Sequence, residues 1–144
     1  MANILTRFKK QVVGSDGRIF DYLTVITSSG DFKRISNLNV IINSWNTILL
    51  TPKGTYLFDP EFGSDIHKLI FEPADSGTVE RIKNEVEESL LTYDDRADIE
   101  NIEVFLKPDG KSFQVDIEVS YEGEKGKLSV TFDDTTTMYQ GVTP

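Results

Sequence analysis

Four carboxylates, Asp59, Glu61, Asp65 and Glu72, fall within one short stretch of the chain. Acids so placed suggest two chemistries. Glycoside hydrolysis uses two carboxyl groups about 5 to 9.5 Å apart, one of them in an apolar pocket that raises its pKa. A calcium ion collects oxygens, which Asp59, Glu61, Asp65 and the carbonyls around Gly63 could supply. Spacing along the chain provides neither a pocket nor a cleft, and among 24 acids clusters arise without function. The stretch also lacks the D-x-D-x-D-G pattern of a calcium loop. His67, the sole histidine in a chain without cysteine, has no partner for a zinc site or a Cys/His nucleophile. It reads as an exposed polar position on a short helix. Phosphate-cradling Gly-rich loops and Gly-x-Ser-x-Gly elbows are absent. No catalytic group, no cofactor and no metal site is expected.

What sets this stretch apart is the run Phe58, Asp59, Pro60, Glu61, Phe62, Gly63. Bulky aromatics beside Pro and Gly build a rigid, non-repetitive loop. Either both phenylalanines plug the domain's own core, or the loop presents a surface to a partner. The residues alone leave both open.

The elements that must position this loop are legible from periodicity. Ile19 to Thr27 is rich in β-branched and aromatic residues and ends at Ser28-Ser29-Gly30-Asp31, a short strand and a turn. Leu38, Ile41, Ile42, Trp45, Ile48 and Leu49 follow one helical face, with Ser36 and Asn37 placed for an N-cap. Trp45, the only tryptophan, is a core residue by position. Ser64-Asp65 can cap a short helix through Ile66, Leu69 and Ile70 that ends before Pro73. A longer helix from about Ser76 carries Val79, Ile82, Val86, Leu90 and Tyr93 on one stripe. Arg81–Glu85 and Lys83–Glu87 at i, i+4 lie on its solvated face.

The C-terminal third alternates strictly. Ile102, Val104 and Leu106, then Phe113 to Tyr121, then Leu128, Val130 and Phe132 predict three strands. Pro108-Asp109-Gly110 and Gly123-Glu124-Lys125-Gly126 predict the connections. One apolar face results, which two helices must cover. The fold class is α+β: an antiparallel C-terminal β-meander packed against two main helices, with an irregular N-terminal arm. The expected organisation is an arm over 1–18, one domain over 19–134 and a polar tail over 135–144.

At 144 residues, 38% of them hydrophobic, one domain can bury a real core. No apolar run approaches the ~20 residues that span a bilayer, and the start lacks the features of a signal peptide. A cysteine-free chain fits folding in a cytoplasm. The net charge of −9 is uneven: residues 1–57 hold seven Lys/Arg against three Asp/Glu, residues 58–144 eight against twenty-one. Such a field disfavours nucleic-acid backbones. Arg7, Lys9, Lys10, Arg18, Lys33 and Arg34 make the N-terminal part basic, a solvated arm or a docking surface for acids. Neither a membrane, a nucleic acid nor a small-molecule substrate is an expected partner.

Around this loop the sequence resembles the small baseplate wedge protein family of contractile tails, of myoviruses and of type VI secretion baseplates. The resemblance rests on Leu49-Leu50-Thr51-Pro52-Lys53-Gly54 after a helix and on the string Phe58 to Ile66. It continues with Ile70-Phe71-Glu72-Pro73 and the helix start Thr78-Val79-Glu80-Arg81. It covers roughly residues 30–132. The family's Glu-Pro-Arg motif, implicated in assembly contacts, aligns with Asp94-Asp95-Arg96, which keeps the acid and the arginine and loses the proline. The resemblance implies a domain like the strand-exchange domain of the tail sheath. It implies a virion component in the tail baseplate, assembled in the host cytoplasm as part of a large hetero-oligomer. Its partners would be other baseplate wedge subunits and the tail sheath protein. It would join the inner baseplate to the sheath and help initiate sheath assembly by strand addition. Asp94 and Arg96 are the expected protein-interaction residues, and Phe58, Asp59, Pro60, Glu61, Phe62 and Gly63 the family-motif scaffold. The alternative is a peptidoglycan-degrading, lysozyme-like hydrolase of the tail.

Overall fold

The strict alternation of the last third becomes the main sheet. The computed structural model describes residues 18–133 and 137–138. Apart from Arg18 and Thr137–Met138, the expected arm and tail lie outside the described residues. In chain order the elements are β1 (Phe20–Ile26), β2 (Phe32–Ser36), α1 (Leu38–Leu50), α2 (Ile66–Leu69), α3 (Ser76–Tyr93), β3 (Asp98–Leu106), β4 (Phe113–Tyr121), β5 (Glu124–Phe132) and β6 (Thr137–Met138). β1 and β2 form a hairpin of their own, and β3-β4-β5-β6 form an antiparallel sheet in that order. The result is the expected α+β arrangement, a meander against two main helices. Among the described residues, no helix is long and apolar enough to cross a membrane.

Register follows from the apolar alternation. Ile102 faces Ile117, Val104 faces Val115 and Leu106 faces Phe113 across β3 and β4. Val115 and Ile117 in turn face Val130 and Leu128 across β4 and β5. A one-residue slip would turn all of these to the other side. Apart from Leu106, which lies exposed at the strand end, this face joins Ile41, Ile42, Trp45 and Ile48 of α1 and Ile82, Val86 and Leu90 of α3 in one cluster. The opposite face is polar. There Asp116 is held by Ser129, by Gln114 Nε2 (2.9 Å) and by Lys127 Nζ (2.8 Å).

Several local expectations are corrected. β2 was not expected, because Phe-Lys-Arg-Ile-Ser is short and highly charged; it forms by pairing Phe32 with Ile26 and Arg34 with Tyr22. Asn37 starts α1 in the left-handed region (φ 51°) without a side-chain cap. Its carbonyl accepts Val40 N–H (3.0 Å), and its own N–H reaches Ile19 O (2.9 Å), tying the hairpin to the helix. Asp65 does not cap α2 with its side chain, because its carboxylate is engaged by Lys68 Nζ at 2.8 Å. The side-chain cap belongs to α3, where Asp75 Oδ1 accepts Thr78 N–H at 2.8 Å.

The β4–β5 turn is tighter than its glycines suggested. Tyr121 pairs directly with Glu124, so the turn is Glu122-Gly123, both with positive φ (47° and 82°), as a two-residue hairpin of that twist requires. Gly126 is a strand residue instead. A Cβ there would meet Leu38 Cδ2 at 2.8 Å, so its role is to let α1 approach the sheet.

Candidate functional site

The loop after α1 is built on backbone hydrogen bonds. Ser64 N–H reaches Thr51 O (2.9 Å), Gly54 N–H reaches Pro60 O (2.7 Å) and Phe62 N–H reaches Asp59 O (3.0 Å). Ser64 Oγ donates to Leu49 O at 2.8 Å. These bonds lay residues 59–64 against the Thr51–Gly54 turn. Gly63 makes the contact possible: its φ is +113°, and a Cβ there would sit 2.1 Å from Thr51 O. Only glycine fits that crossing.

The two phenylalanines part company. Phe62 is 5% exposed and joins the core, whereas Phe58 is 85% exposed and its neighbour Leu57 is 90% exposed. The reading that both plug the core is corrected: Phe62 does, and Phe58 stays on the surface. Tyr56 lies between them, with ring centroids 5.8 Å from Phe58 and 5.6 Å from Phe62, and Phe62 meets Tyr93 edge-on at 5.2 Å. An aromatic chain therefore runs from the loop tip to the end of α3. Burial pushes the Tyr93 phenol pKa up, and the charges of Asp59 and Glu61 add to it.

Asp65 and Glu72 are held in ion pairs, whereas Asp59 Oδ1 accepts the backbone N–H of Glu61 at 3.2 Å. Asp65 contacts Lys68 and, at 4.0 Å, Lys53; Glu72 pairs with Arg81. Glu85 pairs with Lys53 at 3.1 Å and accepts Asp65 N–H at 2.8 Å. Arg81 and Glu85 thus reach across to Glu72 and to Lys53 in place of the expected i, i+4 pair. Burial opposes the Lys53 charge, yet the hydrogen bond and charge of Glu85, with Asp65 and Glu88, outweigh it and raise the ammonium pKa. Among the described residues, no three of His, Asp or Glu converge on a possible metal position. His67 is half-buried and edge-on to Phe132 at 5.9 Å, not the exposed position expected. Burial lowers its pKa, and a hydrogen bond to the Leu50 backbone only partly offsets that.

Asp94 and Arg96 come together where α3 turns into β3. Arg96 Nε and Nη2 donate to Asp94 Oδ1 and Oδ2, each at 2.6 Å. The Asp94 side chain is buried and that of Arg96 only 14% exposed. The Asp94 carbonyl accepts Trp45 Nε1 at 3.1 Å. The loop and this corner are linked through Phe62 and Tyr93. Sequence reasoning gave no role of their own to Leu57 and Tyr56, and missed Lys53–Glu85, whose partners lie far apart in the chain.

Comparison with known proteins bears on both features. The family model described as "Baseplate wedge protein gp25" matches residues 36–125. Baseplate wedge protein gp25 of Enterobacteria phage T4 is 32% identical over 90 residues, covering 62% of this chain and 68% of that protein. The baseplate structure of pyocin R2 after contraction contains a similar chain, 25% identical with a TM-score of 0.59, covering 73% of this chain and 100% of that one. Two more distant structures speak to the fold alone. One is described as a tail lysozyme of Geobacter sulfurreducens, 23% identical with a TM-score of 0.63, covering 81% of this chain and 100% of that one. The other lies in the six-fold symmetrised anti-feeding prophage baseplate, 14% identical with a TM-score of 0.58, covering 93% of each chain. The family match runs from the end of β2 to the start of β5 and takes in both the loop and the acid–arginine corner: this chain belongs to the baseplate wedge protein gp25 family.

Proposed function

We propose that this chain, a baseplate wedge component of a contractile tail, joins the inner baseplate to the tail sheath and helps initiate sheath assembly by accepting a strand. The observation that carries the reading is the sheet edge. Among the described residues, β3 has no partner on its outer side, and β5 is paired on its outer side only at Thr131 and Phe132. Unpaired edge groups on a sheet anchored by a buried core are a template for an incoming strand. Asp94 and Arg96 sit at the base of β3, and we assign that corner to the contact with other wedge subunits.

The protein acts as a scaffold and not as a hydrolase in this reading. The ion pairs of Asp65 and Glu72 with Lys53, Lys68 and Arg81 support it, since a general acid needs a carboxyl kept apart from such cations. Hydrogen exchange with purified sheath protein tests the scaffold role. Amides of β3 or of Glu124–Val130 should gain protection when sheath is added, and baseplates lacking the chain should nucleate sheath poorly. Unchanged edge exchange together with normal nucleation would overturn it. Clearing of cell-wall substrate by the purified protein, lost on substituting Asp59 or Glu61, would favour the hydrolase instead.

A further inference from the structure

Leu57 and Phe58 stand out on the surface, exposed at 90% and 85%, and they do so on a loop whose backbone has little freedom. The Gly54–Pro60 and Phe62–Asp59 hydrogen bonds close it, the Gly63 crossing holds its far end, and Tyr56 braces Phe58 from behind. A large apolar pair held out into water in a fixed shape gains nothing for the monomer. Such residues are typical anchors of interfaces, and a preordered anchor loses little freedom on binding.

The surroundings state what kind of partner fits. Beside the pair the loop carries Asp59 and Glu61 and no cation up to Asp65, whose own carboxylate is taken by Lys68 at 2.8 Å. Lys53 is drawn to Glu85, with the Asp65 carboxylate farther away. A second copy of this chain is a poorer match, because each copy carries a net charge of −9 as a whole and like charges oppose docking.

We propose that Leu57 and Phe58 form an anchoring knob that inserts into an apolar cleft rimmed by Lys or Arg on a different subunit of the baseplate. This rests on the assignment of the chain to the assembled tail, and the knob is separate from the sheet edges and the Asp94–Arg96 corner.

The absence of cysteine makes the test clean. Leu57→Cys and Phe58→Cys each introduce the sole thiol, and maleimide labelling is compared between the free subunit and purified tail particles, normalised to labelling after denaturation. Labelling in particles should fall roughly tenfold or more, as expected for a fully desolvated anchor. A Phe58 variant with an unchanged melt that fails to enter particles supports the knob equally. Equal labelling of free and assembled protein overturns it. The double variant Asp59→Lys, Glu61→Lys should lower incorporation without lowering the melt; full incorporation contradicts the basic rim. A photo-crosslinking phenylalanine analogue at position 58 should capture a different baseplate subunit at a segment containing Lys or Arg. Capture of a second copy of this chain overturns the proposal. If mass spectrometry finds the wild-type chain absent from particles, the assignment to the tail fails, a result distinct from its presence with an exposed Phe58.

Discussion

The Arg96 guanidinium meets the Asp94 carboxylate side-on, Nε to Oδ1 and Nη2 to Oδ2, both at 2.6 Å. The Asp94 carbonyl also accepts a hydrogen bond from Trp45 Nε1. One residue therefore ties the middle of α1, the end of α3 and the entry to β3.

Arg96→Ala should destabilise the monomer itself. It leaves the buried Asp94 carboxylate without its main partner, a loss of about 3–5 kcal/mol for a pair of this kind. The effect of removing both residues should be smaller than the sum of the single changes. Denaturant unfolding followed by emission of the single, fully buried Trp45 reads both. A loss under about 0.5 kcal/mol, the range of ordinary surface substitutions, would mean that the pair is not structural. Assembly defects of Arg96 variants need to be judged against this loss.

Gly63→Ala should be far more damaging than Gly54→Ala. Both have positive φ, but a Cβ at Gly54 meets nothing within 4 Å while one at Gly63 collides with Thr51 O. Gly54→Ala should lose about 1–2 kcal/mol from the left-handed backbone alone. Gly63→Ala adds the displacement of the loop and should exceed that clearly in the same unfolding measurement. Similar losses for the two would show that the crossing relaxes.

His67 should make stability fall on mild acidification. Burial holds its pKa below the usual 6.5, so the unfolded chain takes up the proton first. The stabilising contribution is complete above about 6.5 and is lost as pH falls through the lower folded value. The melting temperature should drop between pH 7 and pH 5 by more in the wild type than in His67→Gln. As the only histidine, its NMR titration is unambiguous, and a midpoint at or above 6.5 would contradict the burial argument.

Asp116 should act in stronger acid. Burial disfavours its charge, but hydrogen bonds from Lys127, Ser129 and Gln114 outweigh that and lower its pKa. Its contribution is present above the ordinary 3.8 and disappears as pH falls through the lower folded value. Asp116→Asn should flatten the acid end of the stability profile. An unchanged profile would mean that Lys127 gains nothing from the pairing.

Long periodic elements were legible in the sequence because burial repeats with the backbone. The stripe from Ile82 to Tyr93 and the alternation from Phe113 to Tyr121 both end up on the core side. The rest depends on contacts between distant residues. Nothing local distinguishes Phe58 from Phe62; their opposite fates follow from the Gly63 crossing over Thr51. Gly126 resembles a turn residue until α1 lies on it. Asp94–Arg96 was legible as an acid–arginine pair, while its clasp on Trp45 was not, since Trp45 lies 49 residues away along the chain.

Under the proposed strand addition, β6 would act as a mechanical end stop. It occupies the β5 edge only opposite Thr131 and Phe132, leaving Glu124–Val130, about 23 Å of strand at ~3.3 Å per residue. A strand sliding in from the Glu124 end would halt where β6 begins. Because a slip of one residue exchanges the two faces of a strand, such a stop would fix the phase of every joint. The choice of phase would then be built into the chain itself and not left to its neighbours.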